Sequence, residues 1–262
     1  MTLFSSTLSE VETQLFQNLK KTKAVFPEET RRIEWGLELM RDLTIITKNA
    51  LTDYPDKPNF LANHNLFARN RQLFLNAYLS LLFSSYGTQF VILRTTLENS
   101  NLMRLFNKNP QLAFEWLPKS VQKQLSKKAQ MKYTKTGKHD VTYHPTSVRD
   151  LLYEELGKAN VKRDLKKFYD QLCNYTHPNY RGWRELVVQT GKTEGILNMP
   201  YFLAANSETG VGANIFLMQL SFKGFVDTFK DYLLGFAKQL EEWQSNYRKL
   251  LMRYVEQDTT TI

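Results

Sequence analysis

Apolar residues recur at helical spacing along most of this chain. Leu8, Val11, Leu15 and Leu19 share one face of a segment that starts near Ser9 and stops before Pro27. Ile33, Leu37 and Met40 mark a second amphipathic helix, running to about Leu51. Tyr54-Pro-Asp-Lys-Pro58 reads as a loop, because its two prolines remove backbone donors and fix φ. A long helical stretch is predicted from Asn63 to Phe106. Leu66, Leu73, Ala77, Leu81, Phe90, Leu93 and Leu97 form its buried side, and Gly87 is its expected interruption. Pro110 and Pro118 bracket a short helix carrying Phe114 and Trp116, and a Lys-rich helix is predicted over Ser120 to Lys132.

Beyond it, Thr134 to His144 has no apolar period and reads as a loop. A helix follows from Pro145, with Leu151, Leu152 and Leu156 inward and Gly157 as its stop. Val161 to Tyr175 is the next helix. His177 lies at its exit, because Pro178 disfavours helical geometry in the residue before it. The one clear strand signal is Glu185 to Thr190, then Gly191-Lys-Thr-Glu-Gly195, then Ile196 to Phe202, which reads as a β-hairpin or an ordered loop. A last helical region is predicted from Asn214 to Val255, with Gly224 or Gly235 as its break. No internal repeat and no Pro-, Gly- or Ser-rich linker divides the chain. The expected fold is an all-α, long-helix bundle forming one domain over residues 1–262, with a small β-hairpin insertion near 185–202.

Composition supports this reading: 11 Gly and 8 Pro in 262 residues leave few turns, and so long helices. With 42% hydrophobic and 23% charged residues, the balance is that of a globular protein. The lone cysteine, Cys173, excludes an internal disulfide. Met1 to Leu8 lacks the basic and apolar runs of a signal peptide, so a cytoplasmic protein is expected. Leu73 to Leu93 is apolar, but Asn76, Ser80, Ser84, Ser85, Gly87, Thr88 and Gln89 interrupt it, which favours a core helix over a membrane span.

The net charge of +9 is concentrated. Lys119 to Lys167 holds 13 Lys or Arg against 5 Asp or Glu. Such a basic region (119–167) is the footprint of a polyanion partner, and equally of a solvated Lys-rich connector. Lys127, Lys128, Lys162, Arg163, Lys166 and Lys167 are its candidate nucleic-acid contacts. Arg181 and Arg184, interleaved with Tyr180 and Trp183, can hold phosphates and stack bases, or anchor a loop.

Two constellations can carry chemistry. Arg94 and Glu98 stand four apart, so a helix puts them on one face between apolar neighbours. They form either a structural ion pair or a polar site set into the core. Tyr169, Cys173 and His177 are spaced four and four, and share a face if the helix persists that far. His177 is a candidate acid, base or phosphate ligand, against the plainer reading of a helix-end histidine bonded within the fold. A Cys173–His177 thiolate pair is the lesser alternative, since lone helical cysteines are commonly buried and inert. His139, Asp140 and His144 lie on a loop without a metal-site motif, so no metal is expected. Walker, GxGxxG, GxSxG and kinase signatures are absent, and no cofactor is expected.

Leu93-Arg94-x-x-Leu97-Glu98, followed by Tyr169-x-x-Leu172-Cys173-x-x-x-His177-Pro178, resembles a family of prokaryotic all-helical proteins related to the HEPN domains. The resemblance spans Leu66 to Pro178. It implies an RNA-directed protein of an antiviral defence or toxin–antitoxin system, either a metal-independent ribonuclease or an RNA-binding subunit. Under the first, Arg94, Glu98, Tyr169 and His177 are catalytic. Under the second they lock the core, while the basic region meets nucleic acid or an acidic protein. Homo-oligomerisation stays open. One feature departs from the family: HEPN ribonucleases carry an Arg a turn or two before a His, and none of His64, His139, His144 or His177 has one there. Either Arg94 and His177 assemble a site from separate helices, or the fold is HEPN-like without nuclease activity.

Overall fold

Proline opens three of the helices. Pro27, Pro58 and Pro110 each begin one, where a missing N–H costs nothing because the first turn has no partner for it. The computed structural model describes residues 8–134, 148, 159–174, 187–190, 193–196 and 204–230, with 233, 238, 241–242 and 245 beyond them. Within these residues the order is α1 Leu8–Val25, α2 Pro27–Asp53, α3 Pro58–Leu82, α4 Tyr86–Lys108, α5 Pro110–Trp116, α6 Lys119–Gln122, α7 Lys127–Thr134, α8 Ala159–Asn174, β1 Val187–Thr190, β2 Thr193–Ile196 and α9 Ala204–Phe229. The two strands pair antiparallel, with Val187 opposite Ile196 and Thr190 opposite Thr193. The remainder of 185–202 lies outside the described residues. The protein is all-α in character, and no described helix is long and apolar enough to cross a membrane.

Helices α3, α4 and α9 pack on one another to form the centre. Helix α2 covers α3 and α9, α1 lies on α2 and α3, α5 on α3 and α4, and α8 on α4. Phenylalanine fills the middle: Phe67 stacks on Phe225 at 3.8 Å between centroids and tilts against Phe222, and Phe229 joins Phe60 to Phe225. Full burial of each such ring stabilises by ~1.5–3 kcal/mol.

Four sequence expectations need correction. The Asn63–Phe106 stretch is two helices, and the break falls at Phe83-Ser84-Ser85 instead of Gly87. Ser84 there adopts φ 60°, a left-handed turn, while Gly87 sits in the first turn of α4. Leu73 is only partly buried; Phe74 takes the core position. The Lys-rich helix is split into α6 and α7. Finally, α9 begins at Ala204, ahead of Asn214, and runs unbroken through Gly224. Gly224 lies close against α4: a Cβ there would sit 3.3 Å from Met103 Cβ, a tight contact that requires the neighbour to give by a few tenths of an ångström.

Beneath the apolar core runs a polar seam. Ser207, Asn214, Ser221 and Thr228 recur every seven residues on α9, all buried. They meet Asn63 and Asn70 of α3 and Tyr86, Gln89, Ser100 and Asn107 of α4. Asn70 Nδ2 lies 3.1 Å from Ser221 Oγ and 3.2 Å from Ser100 Oγ, and Asn70 Oδ1 accepts from Asn99 at 2.8 Å. Thr228 Oγ1 donates to Asn107 Oδ1 at 2.8 Å, and Asn63 Nδ2 donates to the same oxygen at 2.8 Å. Gln89 Nε2 donates to the Gly210 carbonyl at 2.9 Å, and Tyr86 Oη pairs with Ser207 Oγ at 2.7 Å. The bonds that Ser207, Ser221 and Thr228 make to α3 and α4 favour one register, because sliding by one turn breaks them and leaves those groups buried without their partners.

Candidate functional site

Helix α8 is strongly amphipathic, and its inward residues Tyr169 and Leu172 are almost fully buried. Its packing on α4 brings Tyr169 to the pair spaced four apart on that helix. Arg94 Nε donates to Glu98 Oε1 at 2.9 Å, and Arg94 Nη2 donates to Tyr169 Oη at 3.4 Å. Tyr169 Oη in turn donates to Glu98 Oε1 at 3.1 Å. The guanidinium carbon lies 5.6 Å from the Tyr169 ring centroid. The side chains of Arg94 and Glu98 are 21% and 20% exposed, so the triangle is recessed but reachable by water from one side.

Its electrostatics follow from burial and mutual charge. Burial opposes the charged form of Arg94, but the charges of Glu98, Tyr169 and Cys173 outweigh it and raise its pKa. Tyr169 is pushed well above the usual phenol range by burial, then by the charge of Glu98. Burial also pushes the Cys173 thiol up, against the pull of Arg94 and a hydrogen bond with Tyr169. A raised thiol disfavours thiolate, which weighs against nucleophilic sulfur chemistry at this position. The arrangement commits Arg94 Nε to Glu98 and Nη2 to Tyr169. It locks α8 to α4 as it stands.

Four of the sequence-derived residues, Arg94, Glu98, Tyr169 and Cys173, therefore meet. His177, Arg181 and Arg184 lie outside the described residues, as do His139, Asp140 and His144. Among the basic candidates, Lys127 and Lys128 on α7 and Arg163, Lys166 and Lys167 on α8 are exposed. The Lys162 side chain is outside the described set. Lys119, Lys123 and Lys132 are also exposed, and Leu117 to Thr134 contains no acidic residue. No cluster of three potential metal ligands occurs among the described residues.

Two features went unread in the sequence. One is the polar seam, whose signal was the seven-residue recurrence of Ser, Asn and Thr at 207, 214, 221 and 228. The other is a cavity of about 690 Å3 on the outer face of α2, lined by Glu28, Arg31, Arg32, Trp35, Glu38 and Glu242 among others. None of the Arg94 triangle lines it. Comparison of the chain with protein-family models, with curated proteins and with solved structures gives no match.

Proposed function

We propose that this chain is an RNA-directed helical protein that meets the phosphate backbone through its exposed basic helices, with the Arg94–Glu98–Tyr169 triangle holding α8 in place. The observation that carries the reading is the run from Leu117 to Thr134, which exposes five lysines and no carboxylate. A surface of one sign releases counterions when it neutralises phosphates, and that release supplies most sequence-independent affinity. The bonds that Arg94 makes to Glu98 and to Tyr169 across the α4–α8 contact support a positioning role for the triangle. The resemblance of these segments to HEPN-like proteins supports placing the RNA role in a prokaryotic defence or toxin–antitoxin system.

The ribonuclease reading keeps one observation in its favour. Arg94 and Tyr169 meet from separate helices, and His177 follows the end of α8 by three residues at the Tyr169–Cys173 spacing. One experiment separates the two readings. Labelled RNA is incubated with the protein at low salt without metal, and both binding and chain length are followed. Binding with intact RNA, unchanged in His177→Ala, is expected. RNA cleavage that His177→Ala abolishes without lowering the melting temperature transfers the assignment to the nuclease. Absence of binding at low salt removes the RNA reading.

A further inference from the structure

The loop between α2 and α3 joins the basic helices in a way their sequence separation hides. Ser126 N donates to the Pro55 carbonyl at 3.1 Å, and Ser126 Oγ bonds the Asp56 carboxylate. The same Oγ accepts from Ala129 N at 3.1 Å, so one serine both caps α7 and ties it to the loop. Helix α7 is fixed at its other end by Tyr133, which stacks on Phe114 at 5.5 Å and whose carbonyl accepts from Gln111 at 2.8 Å. The basic segment is thus held against the body at both ends of α7.

This tether joins Ser126, the residue before Lys127 and Lys128, to Pro55 and Asp56, the two residues after an aromatic that faces water. Tyr54 is 38% exposed and rests on Phe60 at 5.3 Å, tilted by 58°. The exposed Lys57 ammonium sits 4.5 Å from the centroids of both rings. Asp56, the acid nearest this group in the loop, is turned to Ser126. A second lysine–aromatic pair, Lys132 with Tyr133 at 5.1 Å, lies on α7 itself.

We infer that Tyr54, Lys57 and the α6–α7 lysines form one composite site for single-stranded nucleic acid, in which a base stacks on Tyr54 and Lys57 moves from the ring to the adjoining phosphate. The inference rests on the RNA reading above and deepens it. An exposed ammonium over a ring is a weak contact, and a base–aromatic stack is stronger, so exchange of one for the other is favourable. The displaced ammonium gains a phosphate partner in the same step. Inside a duplex each base is paired and stacked on both faces and cannot supply the stack, which makes the site selective for unpaired strands.

The test is fluorescence anisotropy of the full chain with labelled single-stranded and duplex RNA of equal length. Tyr54→Ala should weaken single-strand binding roughly ten-fold and leave duplex binding unchanged, while Tyr54→Phe should retain the wild-type affinity. The double variant Lys127→Glu/Lys128→Glu should weaken both substrates. Circular dichroism of each variant confirms that it is folded. If single strands bind but Tyr54→Ala has no effect, the stacking site is wrong and the broader RNA reading survives. If neither RNA binds, the broader reading itself fails. Equal loss for duplex and single strand in Tyr54→Ala, or binding only to anionic phosphatidylserine vesicles, also overturns the proposal.

Discussion

The Tyr169 hydroxyl sits between a guanidinium and a carboxylate, accepting from the first and donating to the second. Tyr169→Phe keeps the ring over Arg94 and removes only those bonds, so a loss of ~1 kcal/mol is expected in chemical denaturation. Arg94→Ala removes the charged donor from Glu98 and should cost more, ~1–3 kcal/mol, moderated by the one-fifth exposure of the pair. A pH effect follows from two phenols. Tyr78 is raised by burial and then by its 2.6 Å bond to Glu34, and Tyr169 by burial and then by Glu98. The folded protein holds these protons after the unfolded chain has released them. Their stabilisation is therefore complete below the unperturbed phenol value of about 10 and is lost as pH rises beyond it. Denaturation midpoints should fall above about pH 10, and Tyr78→Phe should flatten that fall. The Arg94–Glu98 pairing was legible as spacing four. The joining of Tyr169 to it was legible only as a resemblance, because the contact crosses 71 residues from Glu98.

Helix boundaries were legible where proline or a clear apolar period set them, as at Pro27, Pro58 and Pro110. They were not where a turn used ordinary residues. Phe83-Ser84-Ser85 holds neither Gly nor Pro, and the positive φ of Ser84 has no sequence marker. The first ten residues of α9 escaped because their buried positions, Ser207, Gly210, Val211 and Ala213, hold a single branched apolar side chain where an apolar stripe is expected. Two glycines of this stretch test that packing. A Cβ at Gly210 would lie 2.4 Å from Gln89 Oε1, whereas at Gly212 it meets nothing within 4 Å. Gly212→Ala should raise stability by ~0.5–1 kcal/mol through helix propensity alone. Gly210→Ala should lower it by ~1–2 kcal/mol despite the same propensity gain, because Gln89 is fully buried and must give up its bond to the Gly210 carbonyl. Equal effects in thermal melts would contradict the close α4–α9 contact.

Across the whole molecule, the charge excess is the property most readable from sequence, and the proposed RNA role rests on it. Its location on exposed faces of α6, α7 and α8 is structural, because apolar residues such as Leu125, Ala129, Tyr169 and Leu172 take the inward positions and leave lysines outside. Under the proposed function, these faces neutralise RNA phosphates. The direct measurement is the salt dependence of RNA affinity for the wild type and for a variant with Lys127, Lys128, Lys166 and Lys167 changed to Glu. Affinity should fall steeply with salt, and the variant's log–log slope should be shallower by about one for each lysine that contacts a phosphate. A wild-type affinity indifferent to salt, or a folded variant with unchanged slope and affinity, would contradict it.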